Sequence, residues 1–252
     1  MREKATALAI IGDRFHNSDY IRTGLQKTLV KDLDVSIDFT DDVTQLNAET
    51  LDGYKILILF RDGMIWPQGY NEQVFRGRGE PVDLFSDPPV SEQEAVREYW
   101  MTEEQGEAVK AFVSAGGSAL LYHNVTYIAT DNEAFRDVLG AETQGHPPVR
   151  TFKVEVTDTD HPITQGVNDF VVTDEQHYLT YYGESEHVFL RSVNEEGLTF
   201  KDLGATCQAG WAHAYGDGRV CYLAPGHLIP VLWNPEYEKL QQNAVRWLLR
   251  EI

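Results

Sequence analysis

The last third of the chain contains the stretches His161-Pro162-Ile163-Thr164-Gln165-Gly166, Tyr215-Gly216-Asp217-Gly218-Arg219-Val220 and Pro225-Gly226-His227. The first predicts a turn, because its proline fixes φ and its glycine closes a second turn. The second predicts a tight hairpin around its Gly-Asp-Gly centre. The third follows an apolar run of strand length, so it places a histidine at the end of a strand.

These motifs, together with Asp174-Glu175 and Asn234-Pro235-Glu236-Tyr237, resemble the ThuA-like (trehalose-utilisation) family. The resemblance extends along nearly the whole chain and is most specific in the last third. It implies the fold of the class I glutamine amidotransferase domain. It also implies a role in the utilisation of trehalose or a related glycoside or keto-sugar.

Apolar runs alternate with helical patterns along the first half of the chain. Strands are predicted at residues 5–11, 35–39, 55–60 and 118–122, and helices at 20–31, from 102 onward and at 235–249. This order is typical of an α/β fold, here a flavodoxin-like parallel sheet flanked by helices. Beyond Gly140, strands at 151–156, 188–192 and 218–223 predict an added antiparallel portion in the C-terminal half. We expect a single domain over residues 1–252.

The pattern breaks between residues 61 and 101, where four of the ten prolines lie. A segment of this length in a compact domain is more often a functional excursion or lid than a plain connection. Within it, Ser91 is placed to cap a short helix at 91–99. The capping box Thr102-Glu103-Glu104-Gln105 begins the helix that follows.

The net charge of the chain limits the classes of partner that it is expected to bind. The formal net charge is −19, from 40 acidic and 21 basic residues. Such a surface repels phosphate backbones and anionic lipids, which argues against nucleic acid and membrane as partners. The N-terminal apolar run has the length of a strand and no cleavage site, so we expect a cytoplasmic protein. A homo-oligomer is compatible with the sequence, which leaves the oligomeric state open.

Ionisable or polar residues follow four of the predicted strands. They are Asp13 and His16 after the first, Arg61 and Asp62 after the third, His123 and Asn124 after the fourth, and His227 after the last. Because ligands of doubly wound sheets bind at the carboxyl ends of the strands, we expect these side chains to share one crevice.

A glutaminase mechanism is disfavoured by the residues after the fourth strand. That chemistry needs a cysteine on a strained strand-to-helix turn, but the chain has His123-Asn124-Val125-Thr126 there. Cys207 and Cys221 lie elsewhere, are too few for a disulfide framework, and are expected to be buried thiols. Gly-x-Ser-x-Gly does not occur either, so a serine hydrolase is equally disfavoured.

Two kinds of chemistry remain open for the crevice. Imidazole nitrogens and carboxylates suit Zn²⁺ or a similar divalent metal, and the candidate ligands are Asp13, His16, His123 and His227. The alternative is a polar pocket without metal. In either case His123 and His227 suit the role of general base, while Asp13, Asp62 and Glu175 suit that of an acid or an orienting group.

Substrate contacts are predicted for a further set of residues, chosen for sugar recognition. Aromatic rings stack on the apolar faces of sugars, and polar groups bind the hydroxyls. The set is His16, Arg61, Asn124, Trp66, Trp233 and Tyr178. The resemblance to the ThuA-like family, taken with these residues, implies a protein that acts on a sugar as a hydrolase, lyase or isomerase. The alternative is a carbohydrate-binding or accessory module without catalysis.

Overall fold

The computed structural model describes residues 5–67 and 96–252. The strands are β1 (Ala7–Ile11), β2 (Ile37–Thr40), β3 (Ile56–Phe60), β4 (Met64–Ile65), β5 (Glu98–Tyr99), β6 (Ser118–Tyr122), β7 (Ala141–Gly145), β8 (Arg150–Val156), β9 (Phe170–Asp174), β10 (Tyr178–Tyr181), β11 (Val188–Val193), β12 (Thr206–Tyr215) and β13 (Gly218–Leu223). The helices are α1 (Ser18–Leu25), α2 (Ala48–Leu51), α3 (Glu103–Ser114), α4 (Glu133–Leu139), α5 (Ile229–Leu232) and α6 (Pro235–Leu248). Gln26–Val30 continues α1 as a π-helical turn, and His123–Thr130 is a 3-10 helix.

In the described part of the chain, one large sheet has the strand order β2-β1-β3-β6-β13-β12-β11-β8-β9. The pairs from β2 to β13 are parallel, and the pairs from β13 to β9 are antiparallel. The predicted fold class is therefore confirmed: the sheet is mixed, with a parallel first half and an antiparallel C-terminal portion.

The parallel strands form the core because both of their faces are covered. Every residue of β1, β3 and β6 is buried, as expected for strands whose sequences are continuously apolar. One group of helices, α1, α5 and α6, packs together, and α2, α3 and α4 form a second group. In the described ranges, no helix combines the length and the apolar character needed to cross a membrane.

Two predicted elements differ from the structure. The strand at 218–223 was assigned to the antiparallel portion, but β13 pairs in parallel with β6 and antiparallel only with β12. It is the junction between the two halves. The helix predicted at 91–99 is wrong at its end, because Glu98–Tyr99 is a strand paired with Met64–Ile65. Its first part, and most of the predicted lid, lie outside the described residues.

The described ends of the 61–101 segment are fastened at the carboxyl end of β3. The backbone N–H of Trp100 donates to Gly63 O at 3.1 Å, and its indole N–H donates to Asp62 O at 2.6 Å. The segment therefore leaves and re-enters the fold beside the strand-end residue Asp62.

The capping box of α3 is confirmed and provides a test of local stability. The Thr102 hydroxyl accepts from Gln105 N at 3.2 Å, and the Gln105 side chain accepts from Thr102 N at 3.0 Å. We expect Thr102→Ala to lower the free energy of unfolding by about 1 kcal/mol, because one N–H loses its acceptor. Thr102→Ser keeps the hydroxyl and serves as the control. Equal urea-unfolding midpoints for the two variants would contradict the assignment.

Candidate metal centre

Four side chains from distant parts of the chain meet at the carboxyl ends of the strands. His16 follows β1, His123 follows β6, Glu175 follows β9 and His227 follows β13. One ligand atom from each of them lies within 4.8 Å of all the others. The structure thus brings together three of the four predicted metal ligands, with Glu175 in place of Asp13.

His16 is oriented by the side chain of Asp13. Its Nδ1 lies 2.8 Å and 3.0 Å from the two carboxylate oxygens, so this nitrogen carries the proton and donates. Asn124 also donates to the Asp13 carboxylate, at 2.7 Å. With Nδ1 protonated, Nε2 of His16 is left with a lone pair directed into the cluster. A carboxylate behind a histidine is the usual arrangement around a metal-binding imidazole.

His123 stands on a strained turn directly after the central strand β6. Its φ angle is +50°, a conformation that is uncommon outside glycine and that histidine adopts more readily than most residues. Nδ1 lies 2.8 Å from Ala224 O and must donate to it, which leaves a lone pair on Nε2. Nε2 is completely buried and makes no well-formed hydrogen bond among the described residues, with the Glu175 carboxylate 3.4 Å away. A buried nitrogen of this kind calls for a cation or a proton.

The spacing of the four ligand atoms fits a small divalent ion. His16 Nε2 lies 2.9 Å from His227 Nδ1, and Glu175 Oε2 lies 3.3 Å from His227 Nδ1 and 3.4 Å from His123 Nε2. Ligands placed tetrahedrally at ~2.0–2.1 Å from zinc are about 3.3–3.4 Å apart. Two of these three separations match that spacing, and three imidazoles with one carboxylate are a donor set of the type that binds Zn²⁺.

Two further histidines approach Glu175. His177 Nε2 lies 3.4 Å from Oε2, and His146 Nδ1 lies 3.5 Å from Oε1. Their rings stack, with centroids 4.8 Å apart and planes 9° from parallel. Because a metal lies in the plane of each imidazole it binds, stacked rings are poorly arranged to share one ion. We interpret this pair as support for the Glu175 carboxylate.

The ionisation of these groups suits cation binding. Burial opposes a charge on Glu175, but His123 and His177 outweigh it and hold the pKa of this carboxyl well below its usual range. Burial, aided by the neighbouring histidines, lowers the pKa of His227 to about 4 against the effect of Glu175. An anionic carboxylate and a neutral imidazole are the forms that bind metal. Burial likewise opposes protonation of His123, yet Glu175 and Asp174 raise its pKa, so a metal would compete there with a proton.

In contrast to the carboxyl group of Glu175, that of Asp62 has a raised pKa. It is 2 % exposed, and its backbone N–H donates to Asp13 at 2.9 Å. Burial and the charge of Asp13 raise its pKa to about 7. Burial also acts to raise the pKa of Asp13. The interaction with His16 and two backbone hydrogen bonds outweigh burial and hold the pKa of that carboxyl below its usual value. The two aspartates therefore divide into a proton carrier and a permanent anion, as acid–base pairs commonly do.

The remaining predicted contact residues lie at different distances from this centre. The Trp66 ring meets Phe15, the neighbour of His16, edge-on at 6.0 Å. Arg61 is buried, donates to Asp41 O at 3.0 Å and covers the Trp100 ring. The described contacts of the other two are outside the cluster: Trp233 lies against Lys27, and Tyr178 bonds Gly204 O and Arg150. Their substrate contacts stay predictions.

Asp174 entered the sequence analysis only as part of a family motif, and His146 was not considered there. His146 lies in the turn Gly145-His146-Pro147-Pro148 between two strands, where only its isolation among prolines could have drawn notice. Asp174 is the last residue of β9 and is fully buried, a placement that its sequence neighbourhood does not show. Cys207 and Cys221 are buried in strands, as predicted, and burial raises the pKa of the Cys207 thiol to about 11, which disfavours a nucleophilic thiolate.

The raised pKa of Asp62 predicts a pH-dependent cost to stability. Between about pH 4 and pH 7 the native state holds a proton on Asp62 that the unfolded chain has released, so this contribution to stability falls as the pH rises. We expect Asp62→Asn to stabilise the metal-free protein by on the order of 1–3 kcal/mol at pH 8, and much less at pH 4. Urea unfolding in the presence of chelator measures this, with the surface variant Asp34→Asn as control. A difference that does not change with pH would refute it.

Solved structures with the same architecture include two described as ThuA-like. The first, from Bacteroides uniformis, has a TM-score of 0.65 at 16% identity and covers 96% of this chain and 90% of its own. The second, from Parabacteroides merdae, has a TM-score of 0.68 at 15% identity, with coverages of 96% and 88%. A β-galactosidase from Rahnella sp. R3 has a TM-score of 0.56 at 14% identity, over 98% of this chain and 32% of its own. At such identities these likenesses show the fold.

The sequence itself decides the family. No curated protein matches the chain. The family model described as "ThuA: Trehalose utilisation" matches residues 89–248, which include His123, Glu175 and His227. The match covers more than half of the chain, and the structural neighbours agree with it. The chain belongs to the ThuA family, which is implicated in trehalose utilisation.

Proposed function

We propose that this protein is a metal-dependent enzyme that acts on a sugar or an oxidised (keto) sugar derivative. The observation that carries the proposal is the preformed set of four ligand atoms, in which two imidazoles already have their Nδ1 protons committed to Asp13 and Ala224 O. Zn²⁺ or a similar divalent ion would be held by His16, His123, Glu175 and His227. Such an ion polarises a carbonyl or hydroxyl oxygen and lowers the pKa of bound water.

The protein's own groups supply the rest of the chemistry in this proposal. Asp62, with a pKa of about 7, holds a proton at neutral pH and can also release it, which suits a general acid or base. Tyr127 is close enough to Glu175 and Asp62 for both charges to add to the main effect of burial in raising its pKa. The arrangement favours proton transfer next to a polarised oxygen, as in an isomerase, lyase or hydrolase.

The sugar as substrate is supported by the family and by the aromatic surface beside the cluster. Phe15 is 52 % exposed and directly precedes His16, and Trp66 meets its ring edge-on. Exposed rings next to polar groups are the usual platform for the apolar face of a sugar. The same surface favours the second candidate, a carbohydrate-binding protein without turnover.

Metal content is the first test of the proposal. We expect about one divalent ion per chain in the protein as purified, measured by elemental mass spectrometry. Glu175→Gln and His123→Ala should lose it, because each removes one ligand of the four. His187→Gln, a histidine that lies against His213 instead of the cluster, should keep it. Equal metal content in all four proteins would refute the site.

Turnover separates the enzyme from the binding protein. We expect the metal-loaded protein to convert trehalose or its oxidised keto derivative, with product detected by mass spectrometry, and chelation to abolish the reaction. His227→Ala should reduce the rate by about 100-fold or more without unfolding the protein, because the loss of a mere outer-shell partner of a metal ligand already costs roughly 10–100-fold. Sugar binding without any product, in protein that contains the metal, would favour the non-catalytic role.

A further inference from the structure

Asp174 is not one of the four proposed metal ligands, but its side chain makes three hydrogen bonds next to them. It ends β9 and is completely buried. Its Oδ2 accepts the backbone N–H of Gly226 at 2.7 Å and of His227 at 3.3 Å, and its Oδ1 accepts that of Leu228 at 3.0 Å. One carboxylate thus binds three consecutive backbone donors of the loop after β13.

These hydrogen bonds connect the end of β9 with the loop after β13, a strand that does not pair with β9. In the sheet, β12, β11 and β8 lie between β13 and β9, so no ladder bond sets the distance between the two strand ends. Asp174 supplies that link. The next residue, Glu175, then places its carboxylate 3.3 Å from the imidazole of His227. Adjacent residues therefore hold the backbone and the side chain of the same histidine.

The loop held by Asp174 also touches His123. Ala224 O accepts from His123 Nδ1, and Gly226 packs so closely that a Cβ there would lie 2.7 Å from the Phe60 ring and 3.1 Å from His123 Cβ. A small displacement of this loop would therefore move His227 and the orientation of His123 together.

We propose that Asp174 is a positioning residue for the metal centre, which sets the separation of Glu175, His227 and His123 through the loop at 224–228. The inference rests on the metal site proposed above. A carboxylate is required because three N–H donors need acceptor lone pairs on both oxygens. An asparagine would turn an NH₂ group toward at least one of these donors, which leaves it unpaired and pushes the loop away.

The test compares Asp174→Asn with Asp169→Asn. Asp169 directly precedes β9 and is the matched control, because its carboxylate also accepts a backbone N–H, from Val156 at 2.9 Å. Affinity for Zn²⁺ is measured by competition with a chromophoric chelator, and the geometry of the site by the visible absorption of bound Co²⁺. We expect Asp174→Asn to bind metal 10–100-fold more weakly with an altered Co²⁺ spectrum. Asp169→Asn should match the wild type in both.

The outcomes are distinct. Wild-type affinity and spectrum in folded Asp174→Asn would overturn the positioning role while leaving the proposed function in place. Absence of Zn²⁺ and Co²⁺ binding by the wild type would overturn both. If Asp174→Asn does not fold, Asp174→Glu, which keeps both oxygens on a longer side chain, takes its place. An unaltered affinity and Co²⁺ spectrum in that variant would also overturn the positioning role.

Discussion

The parallel pairing of β6 with β13 is the constraint on which the site depends. It places Leu223 beside Tyr122, so the residues that follow the two strands leave the sheet together. The Tyr222 hydroxyl donates to His123 O at 2.7 Å, and His123 Nδ1 donates to Ala224 O. These bonds hold His123 in its strained conformation, which costs about 1–3 kcal/mol and persists only where surrounding structure enforces it. The central strand β6 is therefore followed by an imidazole whose orientation is fixed by one hydrogen bond to its ring and one to its backbone carbonyl.

The second constraint is electrostatic. The chain has a large excess of acidic residues, yet four imidazoles lie within 3.5 Å of the Glu175 carboxylate. Buried groups of this kind are costly unless their hydrogen bonds or charges are satisfied. Asp13 and Ala224 O satisfy one nitrogen each of His16 and His123. The other nitrogen of His123 faces Glu175, and the other nitrogen of His16 faces His227. A divalent cation at the proposed site would satisfy the lone pairs that these groups direct at one another.

The turn at His123 can be compared with the turn that carries the nucleophile in some hydrolases. In hydrolases with a nucleophile on such a turn, the strained residue is a serine or cysteine exposed at the end of a central strand. Here an imidazole occupies the position, and both thiols are buried in strands β12 and β13. The residue on this turn is therefore an imidazole, a type of side chain that can bind metal, and neither thiol can act there as a nucleophile.

Much of the fold followed from local patterns. Continuous apolar runs predicted β1, β3 and β6, the capping box predicted the start of α3, and residues after strands were expected at one edge of the sheet. Local patterns predicted β13 as a strand but not its parallel pairing, because its partner β6 lies about a hundred residues away in the chain. The 91–99 helix failed at Glu98–Tyr99 since pairing with Met64–Ile65 overrode the local cap.

By itself the sequence determined which side chains follow the strands, because apolar runs of strand length are a local property. It therefore indicated His16, His123 and His227, although it did not show that the strand before His227 is parallel. Only the tertiary structure decided that Glu175 completes the set, that His146 lies against it and that Asp174 fastens the loop of His227. Glu175 and Asp174 come from the antiparallel half and meet partners about fifty residues away. Contacts of that separation arise from how the two halves of the sheet pack, which no local pattern encodes.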